Sequence, residues 1–139
     1  MPHLAAWTTA RRLNASRYAR FVGEAGLIDH VTLPLEPQGR RHSFNQFVIR
    51  TRFRDELKHH LDRRSIGSQI YYPVPFHLQP CFKHLGYRAG DFPQAERAAR
   101  ESLALPIYPE LTVGQQKSVV EAVAEFVRQR EGEGAKELV

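Results

Sequence analysis

A single cysteine, Cys81, is all that the 139 residues carry, so no disulfide can close within the chain and nothing asks for an oxidising compartment. Long apolar runs are missing too. No stretch approaches the roughly 18 apolar residues of a membrane span, and the opening Met-Pro-His-Leu-Ala-Ala-Trp lacks the charged start and apolar run of a secretory leader. A soluble, cytoplasmic protein that spans no membrane is expected. Also absent are a glycine-rich phosphate loop and a Gly-x-Ser-x-Gly nucleophile turn. Acidic residues are the minority, 15 Asp+Glu against 20 Lys+Arg for a net charge of +5. The arginines are nevertheless scattered, at Arg11, Arg12, Arg17, Arg20, Arg40, Arg41, Arg50, Arg52, Arg54, Arg63 and Arg64, which argues against a nucleic-acid surface. Adjacent His59 and His60 point to different faces of a predicted helix, and His77 and His84 lack a third ligand at metal spacing. No metal centre is expected.

What is present fits one domain with a real core. From Leu4 to about Glu24, Trp7, Ala10, Leu13 (or Asn14), Tyr18, Phe21 and Val22 recur at helical spacing, predicting a long opening helix with one apolar stripe, ended by Gly26. Val31 to Leu35 reads as an edge strand or extended approach. His42 to Thr51 is the best strand candidate, with Phe44, Phe47, Val48 and Ile49. A helix from Arg54 to about Arg64 and a strand from Ile66 to Tyr72 follow, joined by a crossover or by antiparallel pairing. Asp91 with Gln94, and Thr112 with Gln115, have the three-residue spacing of capping boxes. They predict helices from Phe92 to about Ser102, with Ala95, Ala98 and Ala99 on its face, and from Thr112 to about Arg130. Leu103 to Tyr108 reads as a short strand. The expected division is a linking helix at 1–26, an α+β domain at 27–130 with about three strands and helices on a face, and a frayed tail at 131–139.

The stretch Gly67 to Pro80 departs most from generic core and surface. Pro73, Pro75 and Pro80 stiffen it and push Tyr72, Val74 and Gln79 toward extended geometry. Tyr71, Tyr72 and His77 are mounted on this rigid path, a plausible way to present side chains to a ligand.

Six blocks then carry a resemblance: His-Ser-Phe-Asn-Gln-Phe-Val-Ile-Arg (42–50), Arg-Asp-Glu-Leu (54–57), Tyr-Tyr-Pro-Val-Pro-Phe-His-Leu-Gln-Pro (71–80), Leu-Gly-Tyr (85–87), Gly-Asp-Phe-Pro-Gln-Ala-Glu (90–96) and Leu-Pro-Ile-Tyr-Pro-Glu-Leu-Thr (105–112). In order and spacing they resemble the C-terminal, small domain of the DegT/DnrJ/StrS family of pyridoxal-phosphate-dependent nucleotide-sugar aminotransferases, with fold-type-I architecture. The resemblance implies one wall of a substrate cleft, with Tyr71, Tyr72, His77 and Asn45 as substrate-binding candidates. It also implies pyridoxal phosphate in the full-length enzyme and a homodimer. Where the family motif often has His-Tyr-Pro, this chain has Tyr71, a phenol that cannot readily carry positive charge at neutral pH. Ser65 stands where glycine is commoner. Lys58, Lys83, Lys117 and Lys136 lack the surroundings of a cofactor lysine, so no catalytic residue and no bound cofactor are expected in this chain alone. It is expected to be inactive without the cofactor domain. The alternative is a non-catalytic interaction or dimerisation module that uses the stripe of Trp7, Tyr18 and Phe21.

Overall fold

The computed structural model describes residues 3–136. Helix α1, Leu4–Glu24, has the span that its apolar spacing predicts. It ends as expected at Gly26, whose φ of +70° closes the turn. Leu27 N donates to Val22 O and Gly26 N to Gly23 O, satisfying two carbonyls that a helix end would otherwise leave open. The stripe is shifted from the one predicted. Asn14, Ala15, Tyr18, Phe21 and Val22 are buried, whereas Leu13 and Trp7 are exposed, Trp7 by 43%.

Strand β1, Phe47–Arg50, pairs antiparallel with β2, Ser102–Leu105, placing Phe47 opposite Leu105 and Ile49 opposite Leu103. Two strands therefore replace the expected three. The other extended segments join by single bridges, Thr32 to Arg50 and Gln69 to Ala104, giving the lateral order Thr32, β1, β2, Gln69. Because β1 and the Gln69 segment are each antiparallel to β2, they run parallel to one another with β2 inserted between them. The helix α2, Arg54–Arg63, makes the crossover. Phe44 explains why β1 begins late. Its φ is +48° and its N–H donates to His42 Nδ1 at 2.8 Å, so residues 42–46 turn instead of extending.

Helix α2 ends like α1: Ile66 N donates to Leu61 O and Ser65 N to Asp62 O, with Ser65 at φ +57°. This left-handed position is the turn geometry expected where glycine would be commoner. Helix α3, Pro93–Glu101, starts after Phe92 with proline in its first turn and no side-chain cap. The expected Asp91 cap is not made, because the Asp91 carboxylate accepts from Arg88 N instead. By contrast, Thr112 and Gln115 form the reciprocal cap: Gln115 N donates to Thr112 Oγ1 and Thr112 N to Gln115 Oε1. They open α4, Val113–Lys136. Residues 131–136 thus continue the last helix where the sequence predicts fraying, in spite of the low helix propensity of Gly132 and Gly134. Residues 137–139 lie outside those described.

Helices α1, α2 and α4 enclose with the sheet one apolar core that includes Tyr18, Phe47, Ile49, Leu57, Leu61, Leu103 and Val123. The Tyr18 ring stacks on Phe47 at 4.9 Å and its hydroxyl donates to Pro106 O at 2.9 Å; burial pushes its pKa up. Asn14 Nδ2 donates to Tyr108 O and Gln116 Nε2 to Asn14 O. Polar bonds therefore tie α1 to α4 and to the segment after β2. Buried Arg54 donates to Ala99 O at 2.9 Å and Ser102 O at 3.2 Å, fixing the C-terminal end of α3 to α2. Among the described residues, no helix is long and apolar enough to cross a membrane.

Candidate functional site

The proline-rich stretch leaves the Gln69 bridge, passes Tyr71 and Tyr72, and folds back through two short 3-10 helices, Phe76–Leu78 and Pro80–Leu85, the second closed by Gly86 at φ +77°. Gln79 has the extended geometry expected before proline. Tyr72 does not: its φ is +60°. A bulky residue rarely adopts that conformation, and the following Pro73 opposes it further. Its ring, 70% exposed, is held out near Phe76, at a centroid distance of 6.3 Å. Local strain carrying an exposed aromatic is a mark of ligand-binding loops.

The stretch packs against α3 through His77. Its Nε2 lies 3.0 Å from Glu96 Oε1, and the same oxygen accepts from Gly90 N at 2.7 Å. Both side chains are close to buried, 7% and 11% exposed, and Phe92 covers the imidazole at 4.8 Å. The Gly90 amide, aided by His77, holds the Glu96 carboxyl below the usual carboxylate range despite burial. His77 is therefore a strut between loop and helix, with its outer nitrogen already engaged.

Between loop and helix lies an open depression of about 560 Å³, whose walls include Tyr71, Tyr72, Phe76, Phe82, Tyr87 and Phe92. Ala95, Ala98 and Ala99 form part of its lining. These small side chains widen the depression on the α3 side. Tyr71 also borders a smaller cavity of about 150 Å³, and Asn45 lines that one only. Tyr71, Tyr72 and His77 thus come together, while Asn45 meets them through Tyr71. Such a surface can bind and orient a ring and exclude water. Glu96 escaped the sequence reading as a partner for His77, although Gly90 and Glu96, the two ends of one hydrogen bond, bound one of the resemblance blocks.

The DegT/DnrJ/EryC1/StrS aminotransferase family model matches residues 1–124. The chain belongs to this family. A "Pleiotropic regulatory protein" of Geobacillus stearothermophilus is 50% identical over 127 residues, 91% of this chain and 34% of that protein. A dTDP-3-amino-3,4,6-trideoxy-alpha-D-glucose transaminase of Streptomyces venezuelae is 38% identical over 126 residues, 91% of this chain and 32% of the enzyme. The crystal structure of S. venezuelae DesV in complex with a ketimine intermediate superposes with a TM-score of 0.84 at 38% identity, covering 90% of this chain and 33% of that one. The chain therefore spans about a third of the length of the family members it matches.

Pyridoxal phosphate serves this family, and its chemistry needs a lysine beside the substrate. Lys58 is engaged by Asp62 on α2, Lys117 lies over the Phe21 ring at 5.8 Å, Lys83 sits in the second 3-10 helix and Lys136 closes α4. Lys58, Lys83 and Lys117 line neither cavity. Lys58, Lys83 and Lys117 do not fit a Schiff-base site. Among the described residues no cluster of three His, Cys, Asp or Glu side chains could hold a metal.

Proposed function

We propose that this chain acts as the small domain of a nucleotide-sugar aminotransferase, its aromatic depression forming one wall of the substrate cleft. The observation that carries this reading is the strained, outward Tyr72 beside Tyr71 on a loop locked to α3 by His77 and Glu96, in a chain similar to a dTDP-sugar transaminase. Tyr71 and Tyr72 contact the nucleotide-sugar, their rings offering stacking faces and their hydroxyls hydrogen bonds. His77 holds the wall in place, and Asn45 reaches the substrate from the smaller cavity. The Schiff-base lysine comes from the part of the family's architecture that these residues do not match, and the working enzyme is a homodimer. Prepared by itself, the 139-residue chain has no amino-transfer activity. Mixing it with a lysine-bearing segment from a family member restores cofactor absorbance and amino transfer; a mixture that forms a complex yet restores neither contradicts the proposal.

The regulatory name of the Geobacillus relative favours a second reading, a non-catalytic interaction or dimerisation module. Tyr18 and Phe21 are core residues, however, so of the expected docking stripe only Trp7 is exposed. Sedimentation of Trp7→Ser tests it: the module reading requires a change in association, and the cleft reading requires none in sugar binding.

A further inference from the structure

The smaller cavity beside the aromatic depression holds a feature that the cleft reading does not use. Asn45 and Gln46 reach it from the start of β1, and Gly67, Ser68 and Gln69 from the neighbouring segment. Ser68 is 4% exposed and its hydroxyl has no hydrogen-bond partner. An unpartnered buried hydroxyl is costly and rare. The backbone cannot readily turn it away, because Gln69 N donates to Ala104 O at 3.0 Å and Ala104 N to Gln69 O at 2.8 Å. The lining residues bring carboxamides, the Tyr71 phenol and Ser68, and no lysine, arginine or carboxylate. Such a set matches a neutral polar group able to donate or accept, and it offers nothing to neutralise a phosphate. With a water occupying about 30 Å³, the space of about 150 Å³ takes a few non-hydrogen atoms. That suits a ring substituent and is too small for a base with its diphosphate.

We propose that this cavity is a subsite for a neutral, hydrogen-bonding substituent of the pyranose ring, with Ser68 a specificity-determining residue whose hydroxyl, bonded by no protein group, bonds the sugar. The inference rests on the reading of the adjoining depression as a substrate wall. The subsite meets that wall at Tyr71, which borders both spaces.

The test uses the 139-residue chain, ¹⁵N-labelled and titrated with dTDP-glucose and, separately, with thymidine diphosphate. Expected with dTDP-glucose are amide shifts at residues 71–77 and also at 67–69; thymidine diphosphate moves only the former. Ser68→Ala weakens dTDP-glucose by about two- to tenfold, the worth of one hydrogen bond, and leaves thymidine diphosphate unchanged. Because no protein group bonds the hydroxyl, the same substitution leaves the thermal midpoint of the free chain within about 2 °C. A serine that merely supports the fold would lower it further. Shifts at 71–77 without any at 67–69, unchanged sugar affinity in Ser68→Ala, or a midpoint lowered beyond that range overturns the subsite and leaves the wall standing. Absence of shifts at 71–77 removes the wall itself, and the subsite with it.

Discussion

Tyr72 and Ser65 share a backbone conformation, with φ of +60° and +57°, but serve different purposes, and glycine substitution at each separates strain from use. A side chain in the left-handed region costs about 1–2 kcal/mol. Glycine removes that cost and gives back about 0.5–1 kcal/mol through its freer unfolded state. Ser65 is exposed at the end of α2, so Ser65→Gly gains about 0.5–1 kcal/mol net with no loss of packing. Tyr72 has most of its surface in solvent, so losing the ring forfeits little burial. Tyr72→Gly should accordingly be more stable than Tyr72→Ala by about 1 kcal/mol, since only the alanine variant keeps the strain. In a domain of this size that difference is about 3–6 °C in Tm, readable by differential scanning calorimetry and urea titration. Both Tyr72 variants should lose nucleotide-sugar binding, whereas Ser65→Gly should not. Equal stability of Tyr72→Ala and Tyr72→Gly would refute the claim that the loop stores strain; unimpaired sugar binding in both would refute the claim that the strain serves the site.

Two further predictions concern pH. His60 is 3% exposed and its Nε2 accepts from Arg64 Nε at 3.0 Å, while burial and then Arg64 lower its pKa. The folded state refuses a proton that the unfolded chain accepts, so stability falls as pH drops below about 6.5. His60→Gln should flatten that part of a pH series of urea midpoints; an unchanged slope would mean that another group titrates there. Glu96 is depressed by the Gly90 amide first and by His77 as well. Its contribution is present above about pH 4.3 and is lost as pH falls through the lowered value. Glu96→Gln should remove that acid-side loss and speed hydrogen exchange at the Gly90 amide, and exchange as slow as in the unsubstituted chain would show that Glu96 does not hold the loop.

The helical half of the fold was legible because its signals are local. The α1 spacing, Gly26 and the Thr112–Gln115 pair each act within a turn or two of chain, and Gly26 and the pair behave as their residue types require. Strand extents were not, since they depend on what lies alongside. Val31 to Leu35 and Ile66 to Tyr72 are extended enough to reach the sheet, yet each makes one bridge. Phe44 breaks the first strand with a positive φ that its type does not advertise. The same reasoning separates the site residues. Tyr71, Tyr72 and His77 were visible because prolines mark the loop that carries them. Propensity before proline gave the wrong conformation for Tyr72, where the tertiary fold overrides it. Glu96 is 19 residues from His77 along the chain, and no local pattern links them. On α1, periodicity located a stripe, but only packing against α4 shows that Tyr18 and Phe21 are interior while Trp7 is not.

Grafting puts the proposed substrate wall into a complete enzyme. Replacing the corresponding third of the S. venezuelae transaminase with this chain, to which that enzyme is 38% identical, gives a protein whose steady-state kinetics can be compared with and without Tyr72→Ala. Expected is a cofactor-loaded hybrid that transfers the amino group and in which Tyr72→Ala raises KM for the nucleotide-sugar about tenfold, the worth of a stacking contact, with kcat little changed. A folded, cofactor-loaded hybrid without amino transfer, or one indifferent to Tyr72, would contradict it.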